Sequence, residues 1–455
     1  MNTKRKDSRA WLLGVLVLVV LVPAVFLIVK RMEGTPPEMR LEMRAPTIGA
    51  GQTLTLNVED RQSGIRQVWV ALLKDGSESV LMDRFFPAGN LLSGGTVHQE
   101  TLEIPVDIAA YGMKDGKAVL RLMARDFSWR KWGAGNQQYQ EHEVVIDTKA
   151  PNIDVLSQAH NLNQGGAGLV IYKLSEDCPT SGVSVGDRFY PGAAGNFSDP
   201  KIYMCFIALD YTQDAQTPIV VTATDFAGNE GRLGLPHHIN DRRFREDTIS
   251  ISDQFLNWKM PEFKSMVGAS ADEAPIDIFL KVNRDLRAAN YERLVQITAH
   301  SEATLYWKGP FMRLPHSANR ARFADHRTYM YNGKKIDEQR HMGIDLASLQ
   351  QSPVPAGNTG KVAFADNLGI YGLTVVLDHG FGLFSQYSHL SSVTVSAGEV
   401  VQKGAIIGKT GVSGLAGGDH LHLGMLVHQT FVNPVEWWDG QWIENNVRSK
   451  LTAVK

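Results

Sequence analysis

The run WLLGVLVLVVLVPAVFLIV, from Trp11 to Val29, carries no charged side chain. As a helix rising 1.5 Å per residue it reaches about 28 Å, close to the roughly 30 Å hydrocarbon thickness of a bilayer. This segment constrains everything after it, because the remaining chain must then fold on one side of a membrane. Lys4, Arg5, Lys6 and Arg9 precede the run, and Lys30 and Arg31 come directly after it. The positive charge at the N-terminus predicts that this end stays in the cytoplasm and that the bulk lies outside. A cleaved signal peptide is the rival reading. Its apolar region is usually about 7–15 residues and ends in small residues, whereas this run is longer and ends in VKRMEG. Residues 1–31 are therefore expected to be a cytoplasmic tail and an uncleaved single-pass anchor. The expected location is the inner (cytoplasmic) membrane, with the C-terminal domains periplasmic or otherwise extracytoplasmic. Pro23 is tolerable within a membrane helix.

Beyond the anchor the chain reads as mainly β. After a short stalk containing Pro36 and Pro37, the segments QTLTLNV, RQVWVALL and KAVLRLMARD alternate apolar and polar residues, as half-buried strands do. Several such strands between Gly, Asp and Asn clusters predict a β-sandwich over 46–150. Residues 151–236 look like a repeat of it. LMARDFSWRKWGAGN (122–136) and VTATDFAGNEG (221–231) share Ala-x-Asp-Phe with an Asn further on. These modules resemble tandem immunoglobulin-like domains of bacterial surface proteins. The resemblance implies surfaces for protein partners and does not specify chemistry. Both cysteines, Cys178 and Cys205, fall in the second module. Outside the cytoplasm they could form one disulfide; the alternative is two small buried thiols.

Residues 237–300 change character. Pro275 fits the first turn of a helix, and one or two helices are expected here. The segment is either a packing linker or one that positions or covers the domain after it. Residues 301–440 return to short strands, now Gly-rich, and predict one compact, mostly antiparallel β-domain. A 455-residue chain suits roughly three domains. Its formal net charge of −2 gives no reason to expect a nucleic-acid partner.

The last domain carries the chemistry. GGDHLHLGML places His420 and His422 two apart, so in a strand both imidazoles project from one face. HMGIDLAS places His341 and Asp345 four apart, which puts both on one face of either a strand or a helix; Gly343 between them permits a close approach. QYSHLS adds His389 at the end of a strand. Each signal alone has an ordinary structural reading, and most of the 14 histidines must be bystanders. His379, His326, His428, His237 and His238 are read as structural.

H-x-G-x-D, then Y-x-H-L, then H-L-H, in that order, resembles the M23 family of zinc metallopeptidases of the lysostaphin/LytM type. RFADHRTY, YGLTVVLDHGFGLFSQYSHLS, VSAGEVVQKGAIIGKTGVSGLAGGDHLHLGM and VNPVEWW are similar to that family too. The resemblance covers about 320–440. It implies one zinc per chain held by His341, Asp345 and His422, with His389 and His420 as the catalytic pair. Two imidazoles and one carboxylate leave a net positive site with an open position. The implied activity is hydrolysis of peptide cross-links in peptidoglycan by metal-activated water. In a diderm cell the implied bond is D-Ala to diaminopimelate; in a Gram-positive it is an interpeptide bridge. Gly414, Ala416, Gly417 and Gly418 are expected to border the peptide groove. The alternative is a non-catalytic LytM-type scaffold or activator of another cell-wall hydrolase, although none of the five positions departs from the catalytic pattern.

Overall fold

Strands form where the period-2 pattern predicts them. Gly51–Glu59 buries Leu54, Leu56 and Val58 and turns the residues between them outward. The structure, a computed structural model, describes residues 5–90 and 94–454, and of residues 5–10 the backbone alone. Lys4 and the side chains of Arg5, Lys6 and Arg9 lie outside the described residues. The protein is mostly β, with one apolar helix at its N-terminus, Arg5–Arg31. Its segment Trp11–Arg31 is long and apolar enough to cross a membrane, a property shared by anchors and signal sequences. Contacts divide the chain into two compact units, residues 1–150 with 224–230, and residues 151–223 with 231–455.

In the first unit, Glu38–Glu42, Gly51–Glu59 and Gln99–Asp107 form one antiparallel sheet. A second, five-stranded sheet has Gly116–Asp126 near its centre, flanked by Ile65–Lys74 and Gln137–Ile146. One core joins the two, with Leu56 and Ile104 from the first sheet and Val70, Leu122 and Val144 from the second. The repeated Ala-x-Asp-Phe…Asn pattern closes a loop in the same way twice. Asp126 accepts from the Asn136 backbone N–H at 2.7 Å and from Asn136 Nδ2 at 2.8 Å. Asp225 accepts from the Asn229 backbone N–H and from Asn229 Nδ2, both at 2.9 Å.

In the second unit, the central strand Ala167–Leu174 pairs with Ile202–Ala208 and Ile153–Val155. A four-stranded sheet includes Thr180–Val185 and Ile219–Thr224. Their core continues into the C-terminal region. Phe206 meets Trp307 and Trp437, with ring centroids 6.4 and 6.1 Å apart, and Leu383, Met425 and Val427 belong to the same cluster. Each cysteine thiol donates to a carbonyl oxygen, Cys205 to Tyr190 at 3.2 Å and Cys178 to Glu176 at 3.7 Å.

The sheet that builds the site runs in the order Ala318–Ala321, Ile344–Ala347, Leu421–Val427, Leu383–Val393, Leu373–Gly380, Gly360–Asn367 and Val400–Val401, with three short strands beside it. A smaller sheet pairs Asp325–Tyr331 with Lys334–His341. Glu246–Ser250, within the segment expected to be helical, extends that sheet in parallel. The helices Asp253–Lys259, Pro275–Lys281 and Arg287–Ile297 come after it in the chain. A single π-helical turn, Val282–Leu286, joins the last two. Leu256, Phe279 and Leu294 bury into the same core as Ile344 and Leu423.

Candidate metal centre and active site

The strand Leu421–Val427 is buried along its whole length. In antiparallel register His422 lies opposite Asp345 on one side and opposite Ser388 on the other. Directly opposed residues share a face of a sheet, so His422 and Asp345 meet. His341 arrives differently. It ends the strand Lys334–His341 of the smaller sheet, and Asp345 sits in Ile344–Ala347 of the larger one. The two are therefore not one face of a single element; the step at Met342 and Gly343 carries the chain from one sheet to the next. A methyl group at Gly343 would stand 2.6 Å from His422 Cε1 and Nε2, so the glycine makes room for the ring.

His389 needs a different device. Neighbours along a regular strand face opposite ways, and Ser388 already shares the face of His422. His389 adopts a φ of +62°, a left-handed backbone unusual for a non-glycine residue. The ladder is irregular just beyond it, between Leu390 and Ser392. The ring ends 4.8 Å from that of His420 and 5.9 Å from that of His422, centroid to centroid. The structure thus brings all five residues to one place.

Their hydrogen bonds assign the nitrogens. His341 Nδ1 lies 2.9 Å from the carbonyl oxygen of Arg322. A carbonyl only accepts, so Nδ1 carries the proton and Nε2 of the neutral ring presents a lone pair. That lone pair faces Asp345 Oδ1 at 2.9 Å and His422 Nδ1 at 3.0 Å, and His422 Nδ1 is 3.0 Å from Asp345 Oδ1. An ionised carboxylate has no proton to offer. The triangle therefore holds more lone pairs than protons, a deficit that a cation satisfies. Its edges are close to the roughly 3.3 Å between ligand atoms on one tetrahedral zinc. His341, Asp345 and His422 could thus hold a metal ion. His422 Nε2, on the other edge of the ring, is buried without a hydrogen-bond partner.

The remaining contacts orient the set. Arg327 Nη2 donates to Asp345 Oδ2 at 2.9 Å, leaving Oδ1 for the imidazoles. His389 Nδ1 donates to the carbonyl of Ser413 at 2.8 Å, and His420 Nδ1 to that of Gly418 at 2.7 Å. Each ring thus has Nε2 free for the site, and His420 Nε2 is 3.6 Å from Asp345 Oδ1. Burial works to raise the pKa of Asp345, but His341, His420 and His422, gathered around its carboxylate, outweigh it and hold the carboxyl well below its ordinary range. Burial, with His420 and His422 alongside, pushes His389 well below the usual histidine value. Burial takes His422 down to about 4.

A cavity of about 320 Å³ opens onto these residues. His341, Asp345, His389, His420 and His422 line it, and Leu415 and Gly417 border it. Gly414 packs its backbone against that of Gly372 instead, and Ala416 is buried. Across the cavity stand Ile249, Ile251, Phe255 and Phe279, all from residues 237–300. No local pattern marks these four as site residues. Arg327 is legible only as a polar residue of an alternating strand.

The other histidines are held elsewhere. His379 is buried between the Thr359 carbonyl at 2.8 Å and Ser385 Oγ at 2.7 Å, and burial lowers it to about 4. His237 bonds the Leu235 carbonyl, and His326 pairs with Glu246.

The family model described as Peptidase family M23 matches residues 339–434. The DD-carboxypeptidase/endopeptidase Mpg of Neisseria meningitidis is 38% identical over 95 residues, 21% of this chain and 22% of that protein. The peptidoglycan DD-endopeptidase ShyA of Vibrio cholerae is 34% identical over 96 residues, 21% of this chain and 22% of that protein. The murein hydrolase activator EnvC of Escherichia coli is 34% identical over 109 residues, 24% of this chain and 26% of that protein. The chain spans about a quarter or less of the length of these curated relatives.

Proposed function

The chain carries a Peptidase family M23 domain over residues 339–434, and from that premise we propose that the protein is a membrane-anchored zinc endopeptidase that hydrolyses peptide cross-links of peptidoglycan. The observation that carries this reading is the triangle of His341 Nε2, Asp345 Oδ1 and His422 Nδ1, whose edges are 2.9–3.0 Å long. Two relatives are named as endopeptidases, one of them of peptidoglycan, which supports the substrate class. The apolar helix supports an anchor that keeps the catalytic domain near the wall.

His341, Asp345 and His422 would hold the zinc. When bound there, zinc polarises a carbonyl and acidifies water. Arg327 keeps Asp345 oriented and ionised. The Arg322 carbonyl keeps the His341 lone pair aimed inward. His389 and His420, each anchored through Nδ1, present Nε2 to the reacting atoms. There, one imidazole accepts the proton from attacking water and can pass it on to the leaving amine, and the other, in its protonated form, donates a hydrogen bond to developing negative charge. The wall of Ile249, Ile251, Phe255 and Phe279 excludes water from one side and lowers the local dielectric, which strengthens these interactions.

The likeness to an activator supports a second reading, a scaffold that stimulates another hydrolase. Full-length protein in detergent micelles separates the two. One zinc per chain and release of cross-link-cleaved fragments from purified peptidoglycan, both lost in His422→Ala with an unchanged circular dichroism spectrum, support the enzyme. A zinc-free wild-type chain that leaves peptidoglycan intact overturns it in favour of the activator.

A further inference from the structure

A second cavity of about 650 Å³ also reaches the metal centre. Arg287, His341, Tyr371 and His422 line both this cavity and the one beside the catalytic pair. The second is rich in arginine, and its charges sort into pairs. Arg188 is matched by Asp210 at 3.1 Å, and Arg284 by Asp337 at 3.0 Å. Glu338 is matched by Lys335 and by His326. Two guanidinium groups remain without an acidic partner among the described residues, Arg287 and Arg340. Arg340 donates to the Ala324 carbonyl and lies over the Tyr211 ring. Arg287 is the one that borders both cavities.

Arg287 is held in place by an uncharged residue. Its Nε donates to the Asn283 backbone carbonyl at 3.1 Å and its Nη2 to Asn283 Oδ1 at 2.6 Å. Asn283 is fully buried in the π-helical turn and fastened through Nδ2 to Asp337 at 2.7 Å. These bonds occupy one edge of the guanidinium. The Nη1–Nη2 end keeps a proton on each nitrogen and has no partner for it among the described residues. That fork matches the two oxygens of a carboxylate.

We propose that Arg287 is a specificity-determining residue that reads a free carboxylate next to the scissile amide. Resting on the hydrolytic reading above, this narrows the substrate. A cross-link made to a diamino dicarboxylic acid keeps a free carboxylate on the carbon that bears the amide nitrogen. A link of glycines has none there. The structure favours the first class. Arg287 lies outside the matched family domain, so the segment 237–300 supplies substrate recognition to a centre that it does not ligate.

The test uses full-length protein in detergent and two fluorescent peptides. Both contain D-alanyl-diaminopimelate with a ketomethylene group replacing the scissile amide; one has the adjacent carboxylate free and the other has it amidated. Fluorescence anisotropy is expected to give wild-type protein at least about tenfold tighter binding of the free carboxylate. Arg287→Gln should reduce the preference to about twofold or less, and Arg287→Lys should keep part of it, with melting curves confirming that both fold. Equal binding of the two peptides by wild type overturns the proposal, as does a preference that survives Arg287→Gln or is lost only in Arg340→Gln. Cleavage of the parent amide peptides is measured separately by mass spectrometry. A chain that keeps the Arg287-dependent preference and cleaves neither refutes the hydrolytic reading while supporting carboxylate recognition.

Discussion

Gly343 lies close against Cε1 and Nε2 of the His422 imidazole, and any side chain at 343 would strike that ring. The contact joins the step between two sheets to the third corner of the metal triangle. In Gly343→Ala the added methyl must displace His422 or the backbone at Leu423, whose carbonyl oxygen is 2.7 Å away. The expected loss of stability is about 1–3 kcal/mol, with a lower zinc content. Denaturant unfolding and metal analysis of the same preparation check both.

Asp345→Asn preserves shape and removes the charge that faces both imidazoles and Arg327. Zinc should bind at least about tenfold more weakly, read by competition with a chelator. Arg327 would then be a half-buried cation facing a neutral amide, so stability should fall as well. Unchanged zinc affinity would remove Asp345 from the ligand set.

Trp437 is fully buried, with ring centroids of Trp442, Trp307, Phe311 and Phe206 at 5.2, 5.6, 5.7 and 6.1 Å. It ties the strand Ile202–Ala208 to the C-terminal domain. Trp437→Ala should cost about 3–5 kcal/mol, measured by chemical denaturation. A loss below about 1 kcal/mol would mean that the two parts do not share a core in solution.

Glu436 accepts from Asn163 Nδ2 at 2.6 Å and from the Ala167 backbone N–H at 2.9 Å, and burial raises its pKa from 4.5 to about 7. Because the folded pKa lies above the unfolded one, folding favours the protonated form. Its stabilising effect is fully present below pH 4.5 and is lost as pH rises through about 7. Linkage makes this worth about 3 kcal/mol across that window. Glu436→Gln should flatten that part of the stability–pH curve. A mutant curve with the wild-type slope would show that Glu436 does not titrate in that window.

Much of the candidate site was visible as residue types in order. HMGID, YSHLS and HLH name five side chains, and the fold brings those five together. Their geometry was less visible. The spacing of His341 and Asp345 suggests one face of one element, yet the residues belong to two sheets. His389 reaches the cluster only through a left-handed backbone that no motif announces. The segment 237–300 reads as helical from its apolar spacing, but one of its strands extends a site-building sheet and its apolar residues wall the cavity.

The sequence alone determined what is periodic or local. The uncharged run of Trp11–Val29, the alternation that makes strands, the Asp–Asn loop closures and the order of the histidine motifs all depend on neighbours along the chain. Only the tertiary structure decided which lone pairs face each other, which carbonyl selects each imidazole nitrogen, and which arginine lacks a counter-charge. Those outcomes depend on groups distant in sequence, such as Arg322 with His341 or Asn283 with Asp337. Their separation is set when sheets pack, and no local pattern carries it.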